Sequence, residues 1–148
     1  MFRRVAVCVC AVVALAPLTR SVAPAQSAGT KAIPSIQFKA GTHTTVLDST
    51  VAPAVTVGPD MTNDGSQRYS LGAKAGQVLT LAISSDNHHA VFSLVKPSPA
   101  MVKSEIVERA GGVTRWSGRL LEPGNYLVTV FTRDRDAASR FTLRVTLH

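Results

Sequence analysis

The residues able to do chemistry are few, and their spacing defeats most of it. His88-His89 is the one histidine pair in the chain. Neighbours on an extended strand point to opposite faces, so the pair cannot close on one metal ion unless the loop bends. Two solvated loop histidines is the simpler reading. Asp86, His89 and a nearby serine can be drawn as a triad, but nothing in their spacing sets them apart. Ser117-Gly118 is half of a nucleophile elbow, with Arg115 where a glycine is required. Asp60, Thr62, Asp64 and Gly65 begin like a calcium loop. Thr62 holds the third position, however, and Leu71 stands at the twelfth, where a bidentate glutamate belongs. No dinucleotide, phosphate-loop or zinc-protease signature occurs. The expectation is a protein that is not an enzyme, with no cofactor and no metal.

Arginine is the other chemistry on offer. Arg109, Arg115, Arg119, Arg133, Arg135, Arg140 and Arg144 crowd the C-terminal half. Guanidinium groups favour planar, two-pronged pairing with carboxylate or phosphate. Arg140 and Arg144 fit a solvated basic sheet face. Arg133 and Arg135 fit a recognition loop. Nucleic acid is not expected as a partner, because aromatic residues make up 5% of the chain and base-stacking platforms are scarce.

These residues must be held by a domain drawn from 148 residues, enough for one and little more. The chain opens with Met1-Phe2-Arg3-Arg4 and an uncharged run from Val5 to Leu18. That run is shorter than the roughly 20 residues a span needs, and it reads as the apolar core of a signal peptide. Ala23 and Ala25 place cleavage after Ala25, with Ala28 as second choice and an uncleaved anchor as the alternative. Cleavage removes three arginines and both cysteines, Cys8 and Cys10. The mature chain then carries 13 Lys and Arg against 9 Asp and Glu, a net +4. It has no disulfide, no thiol nucleophile and no cysteine metal site. Residues 1–25 are thus expected to be signal, 26–34 a loose leader and 35–148 the folded domain, in the periplasm or secreted, with no membrane span after cleavage.

The domain reads as β throughout. Short strands are expected at Ser35–Phe38, Thr44–Leu47 and Val51–Val57, the last broken by Pro53. Gly58 to Gly65 is a loop. Arg68–Ala73, Val78–Ser84, Val91–Lys96 and Val113–Leu120 follow, with Leu79, Leu81 and Ile83 alternating to one face. Ser98–Glu108 is ambiguous between a short helix and an irregular crossing. Pro123 and Gly124 mark a type II turn. Tyr126, Val128 and Val130 face one way. Phe141, Leu143, Val145 and Leu147 do the same in the last strand, with Arg140, Thr142, Arg144 and Thr146 outward. The fold class is all-β: a single antiparallel, jelly-roll-like sandwich of about 8 to 9 strands. Its last two strands are expected to pair, with Tyr126 and Trp116 largely buried.

From Ile36 to Leu147 the order of landmarks resembles the periplasmic inhibitors of goose-type lysozyme, which are related to bacterial pre-peptidase C-terminal domains. The residues that carry the likeness are Ile36–Gly41, Arg68–Leu79, Phe92 to Pro97, Trp116-Ser117-Gly118, Leu121–Val130 and Arg140–Val145. The Tyr69, Ala73, Gly76, Gln77 block and the Gly124, Tyr126, Val130 block are common to many such modules and speak for the fold. The loop after Val130 speaks for function. In the inhibitors it looks like Arg-x-x-Ala followed by Arg and enters the lysozyme cleft. Arg135-Asp136-Ala137-Ala138 fits that spacing, with Arg133 as a rival register and Arg140 beyond. By the same resemblance Tyr69 and the Asp60–Gln67 loop adjoin it.

The resemblance implies a lysozyme partner and a stoichiometric plug. A glycosidase cleft is concave and carries carboxylates, and a loop arginine can pair with them in a water-poor site. Many lysozymes are basic, so a +4 inhibitor gains no long-range steering and must rely on short-range fit. The alternative is a non-catalytic carbohydrate- or envelope-binding module whose basic face meets anionic cell-wall glycan. A secreted hydrolase would need a catalytic constellation that the sequence does not show.

Overall fold

The computed structural model describes residues 32–56, 62–63, 65–98 and 105–148. The expected signal, most of the leader, the bulk of the 57–64 loop and the 99–104 part of the ambiguous segment lie outside them. Among the described residues nine strands follow one another: β1 Thr44–Val51, β2 Val55–Thr56, β3 Thr62–Asn63, β4 Gln67–Ala73, β5 Val78–Ser85, β6 Ala90–Val95, β7 Arg115–Arg119, β8 Gly124–Thr132 and β9 Ser139–Leu147. No helix occurs among the described residues, so none there is long and apolar enough to cross a membrane.

Two antiparallel sheets form the body. One runs β1-β9-β5-β7, the other β4-β8-β6, and β2 and β3 make a small separate pair. The alternation seen in the sequence is what brings the sheets together. Leu79, Leu81, Ile83, Phe141, Leu143 and Val145 from the first sheet meet Leu71, Phe92, Leu94, Tyr126, Val128 and Val130 from the second in one core. β5, β8 and β9 bury every second residue and turn the others outward, as a sandwich requires. The fold class is therefore an all-β sandwich.

One expected pairing is overturned. β8 and β9 do not form a hairpin. β8 pairs with β4 and β6, and β9 pairs with β1 and β5. From β4 to β9 the chain changes sheet at every connection. Alternation says which face of a strand is buried and is silent on its neighbour, and Arg133–Ala138 is long enough to step the roughly 10 Å between sheets.

Smaller corrections follow the same logic. Ser35–Phe38 supplies only a bridge from Ser35 to Ser70, although Ile36 is buried. Thr44–Val51 is one continuous strand rather than two pieces, ending where Pro53 removes a donor. Trp116 is only partly buried, because β7 is an edge strand of five residues. Gly124 has φ +141°, open to glycine but more extended than the type II turn demands.

Candidate functional site

The loop Arg133–Ala138 sits where the chain leaves one sheet for the other, and four hydrogen bonds shape it from within. The Thr132 and Ser139 hydroxyls meet at 2.8 Å across its ends. The Asp134 N–H donates to Thr132 Oγ1 at 3.1 Å. Asp134 Oδ1 in turn accepts the N–H groups of Asp136 at 2.9 Å and Ala137 at 3.2 Å. Aspartate suits this place because its short carboxylate reaches backbone donors two and three residues on. The Asp136 N–H is the main reason the Asp134 carboxyl is held below its ordinary pKa. Partial desolvation opposes this, while the Ala137 N–H and the His89 charge add to it.

The loop is also fastened from outside. The Arg133 N–H donates to the His89 carbonyl at 2.9 Å. Its guanidinium donates through Nη2 to the Gly112 carbonyl, in a Gly111-Gly112 turn whose second glycine has φ +62°. The aspartates therefore do not neutralise the arginines: no ion pair between them occurs among the described residues, and Asp134 is spent on the backbone. Arg135 is exposed, and its side chain is in no hydrogen bond or ion pair with a described residue.

The other expected site residues are dispersed. Asp136 is exposed on the loop. Arg140, the second residue of β9, projects from the outer face of the four-stranded sheet beside Thr50. Tyr69 lies opposite Val128 on β4, partly buried and packed against the core, four residues before β8 reaches Thr132. The structure thus brings Arg133, Arg135 and Asp136 together, sets Arg140 next to them on another face, and places Tyr69 inside the sandwich rim. In the Asp60–Gln67 surface, residues 60, 61 and 64 fall outside the described residues.

His88 and His89 occupy the β5–β6 turn, both exposed, with His88 at φ 60°. Among the described residues no group of three His, Cys, Asp or Glu could hold a metal ion. Sequence reasoning missed the props of the loop, the His89 carbonyl and Gly112. It also missed a cleft of about 950 Å³ at the β7 edge. Trp116, Arg109, Glu108 and Leu121 are among its walls, and no loop residue lines it. The Trp116 indole there donates to the Glu108 carbonyl at 3.1 Å.

With this geometry the chain can be set against solved structures. The PliG protein of Aeromonas hydrophila, a periplasmic lysozyme inhibitor of g-type lysozyme, superposes with a TM-score of 0.62 at 25% identity. The match covers 78% of this chain and 96% of that one. The fold is that of the PliG inhibitors. Salmonella Typhimurium PliG gives a TM-score of 0.52 at 15% identity over 77% of this chain and 96% of its own. A mutant of the Escherichia coli PliG gives 0.53 at 14% over the same shares. No protein-family model matches the chain, and no curated protein matches it by sequence.

Proposed function

We propose that this protein is an exported inhibitor of g-type lysozyme, that residues 1–25 direct its export and are removed, and that the Arg133–Ala138 loop enters the enzyme cleft. The observation that supports this most is the match to Aeromonas hydrophila PliG across 96% of that chain at 25% identity. The loop adds a chemical reason. Hydrogen bonds at Arg133 and Asp134 brace it, so little conformational entropy is lost on docking, and it presents the Arg135 guanidinium, which is in no ion pair among the described residues. Arg135 is the group that pairs with cleft carboxylates. Arg133 holds the loop in place through Gly112. The protein performs no chemistry of its own; it blocks the sugar subsites. The test is a lysis assay on a peptidoglycan suspension with goose-type and chicken-type lysozymes. Stoichiometric suppression of the goose-type enzyme is expected. Full lysis at a large excess of inhibitor over both enzymes would sink the proposal.

A further inference from the structure

The register of the four-stranded sheet puts four of the six remaining arginines of the mature chain on one open face. Arg144 on β9 lies opposite Ala82 on β5, and Ala82 lies opposite Arg115 on β7. Paired residues share a face, so the two arginines stand side by side with one strand between them, roughly 10 Å apart. Arg140 lies four residues before Arg144 on β9 and Arg119 four residues after Arg115 on β7, on the same outward side. All four are exposed. They form a diagonal band running roughly 26 Å along the strands, at about 3.3 Å per residue.

The surroundings of the band select its partner. Among the described residues none of the four arginines is in an ion pair. The carboxylate on the face, Asp48, accepts the Thr142 hydroxyl at 2.5 Å. Asp86, beyond the end of β5, turns back to accept the Asn87 N–H. The rest of the face is largely hydroxyl: Thr44 meets Thr146 at 3.0 Å and Thr80 meets Ser117 at 2.8 Å. No outward position on these four strands is aromatic, so bases have nothing to stack on. The exposed large apolar side chains on the face are two separate valines, Val46 opposite Arg144 and Val78 opposite Arg119, too small and too far apart to enter a lipid layer together. Every cation is arginine, whose fork engages an anionic group in two bonds, where lysine would serve solubility equally well.

From this arrangement we infer that the outer face of the β1-β9-β5-β7 sheet binds an acidic polysaccharide, its anionic groups on the arginine band and its hydroxyls against the threonine and serine rows. This goes beyond the lysozyme reading and does not depend on it. It gives the basic charge a use that lysozyme binding does not, since a basic enzyme is not steered by a basic face.

The probe is dextran sulfate, with neutral dextran as control, in affinity electrophoresis of the protein as recovered from expressing cells. Retardation by dextran sulfate alone is expected, weakening as salt rises, because each anionic group neutralised releases counterions. Arg115→Gln with Arg144→Gln should weaken binding about tenfold or more and flatten the salt dependence, with the melting temperature unchanged. Arg135→Ala, on the loop, should bind as the parent does. No retardation overturns the inference, as does an equal loss from Arg135→Ala, which would show general charge attraction. Binding to anionic lipid vesicles with none to dextran sulfate overturns it too.

Discussion

The hydroxyls of Thr132 and Ser139 close the two ends of the loop at 2.8 Å, and Ser139 is wholly buried. It is the one buried polar residue among those described. Its hydroxyl sits where the chain passes from the β4-β8-β6 sheet to the other, so the core and the loop share a hydrogen bond. Ser139→Ala leaves the Thr132 hydroxyl short of a buried partner and should cost about 1–2 kcal/mol. Urea denaturation measures it. An unchanged midpoint would mean that the Asp134 turn alone holds the loop ends.

Asp134 gives the loop a pH dependence with a defined sign. Its folded pKa is lowered, so its contribution is present above the unfolded value, about 3.9, and is lost as pH falls through the folded one. Asp134→Ala should therefore melt below the parent at pH 6. The gap should narrow as the pH is taken from about 4 toward 2. Melting curves of both proteins across that range check it, and a gap that stays constant in acid would remove the carboxylate from the account.

Leu143 tests the core. It lies opposite Leu47 on β1 and Ile83 on β5 and is fully buried. Leu143→Ala should cost about 2–5 kcal/mol. A loss under about 0.5 kcal/mol, the usual scale for a surface change, would mean that β9 presents its other face to the core.

The strand faces were legible because alternation is written in the chain. Phe141, Leu143, Val145 and Leu147 are separated by Arg and Thr, and only one orientation of β9 buries them. The partners of β8 and β9 were not legible, because each strand alternates equally well beside any neighbour. The step between sheets depends on where β4, β6, β1 and β5 lie. Arg133 and Arg135 look alike in sequence for a similar reason. What separates them is the carbonyl of Gly112, 21 residues earlier, which only the fold brings near. Trp116 is a further instance. Its exposure follows from lying on an edge strand, and strand order is not a local property.

Trp116 is the only tryptophan in the chain, so its surroundings can be read optically. A Cβ on Gly118 would sit 2.7 Å from its indole ring, closer than packed atoms allow. Gly118→Ala should push the indole off β7 and break its bond to the Glu108 carbonyl. The emission maximum is expected to move to the red. Lysozyme inhibition should not change, since no loop residue lines that cleft. An unmoved spectrum would show that the ring does not rest on Gly118, and lost inhibition would bring the cleft into the binding surface.

The two loop arginines separate cleanly because the structure gives them different work. The Arg133 guanidinium is committed to the Gly112 carbonyl and its N–H to His89. Removing the side chain unfastens one side of the loop. Arg133→Ala should therefore lower thermal stability and weaken inhibition together. The Arg135 side chain is exposed and in no hydrogen bond or ion pair with a described residue, so Arg135→Ala should leave the melting temperature where it is. Its effect belongs to the complex: a guanidinium buried against cleft carboxylates behaves as a hot spot, and its loss costs about 2 kcal/mol or more, about thirtyfold in the inhibition constant. Arg135→Lys keeps the charge and loses the fork, and it should recover only part of that loss. The pair of measurements, melting temperature and inhibition constant, is what discriminates. If Arg135→Ala inhibits as the parent does while Arg133→Ala fails with its stability intact, the roles are exchanged and Arg133 leaves Gly112 to enter the cleft. If neither change affects a protein that inhibits, the contact surface lies elsewhere on the sandwich.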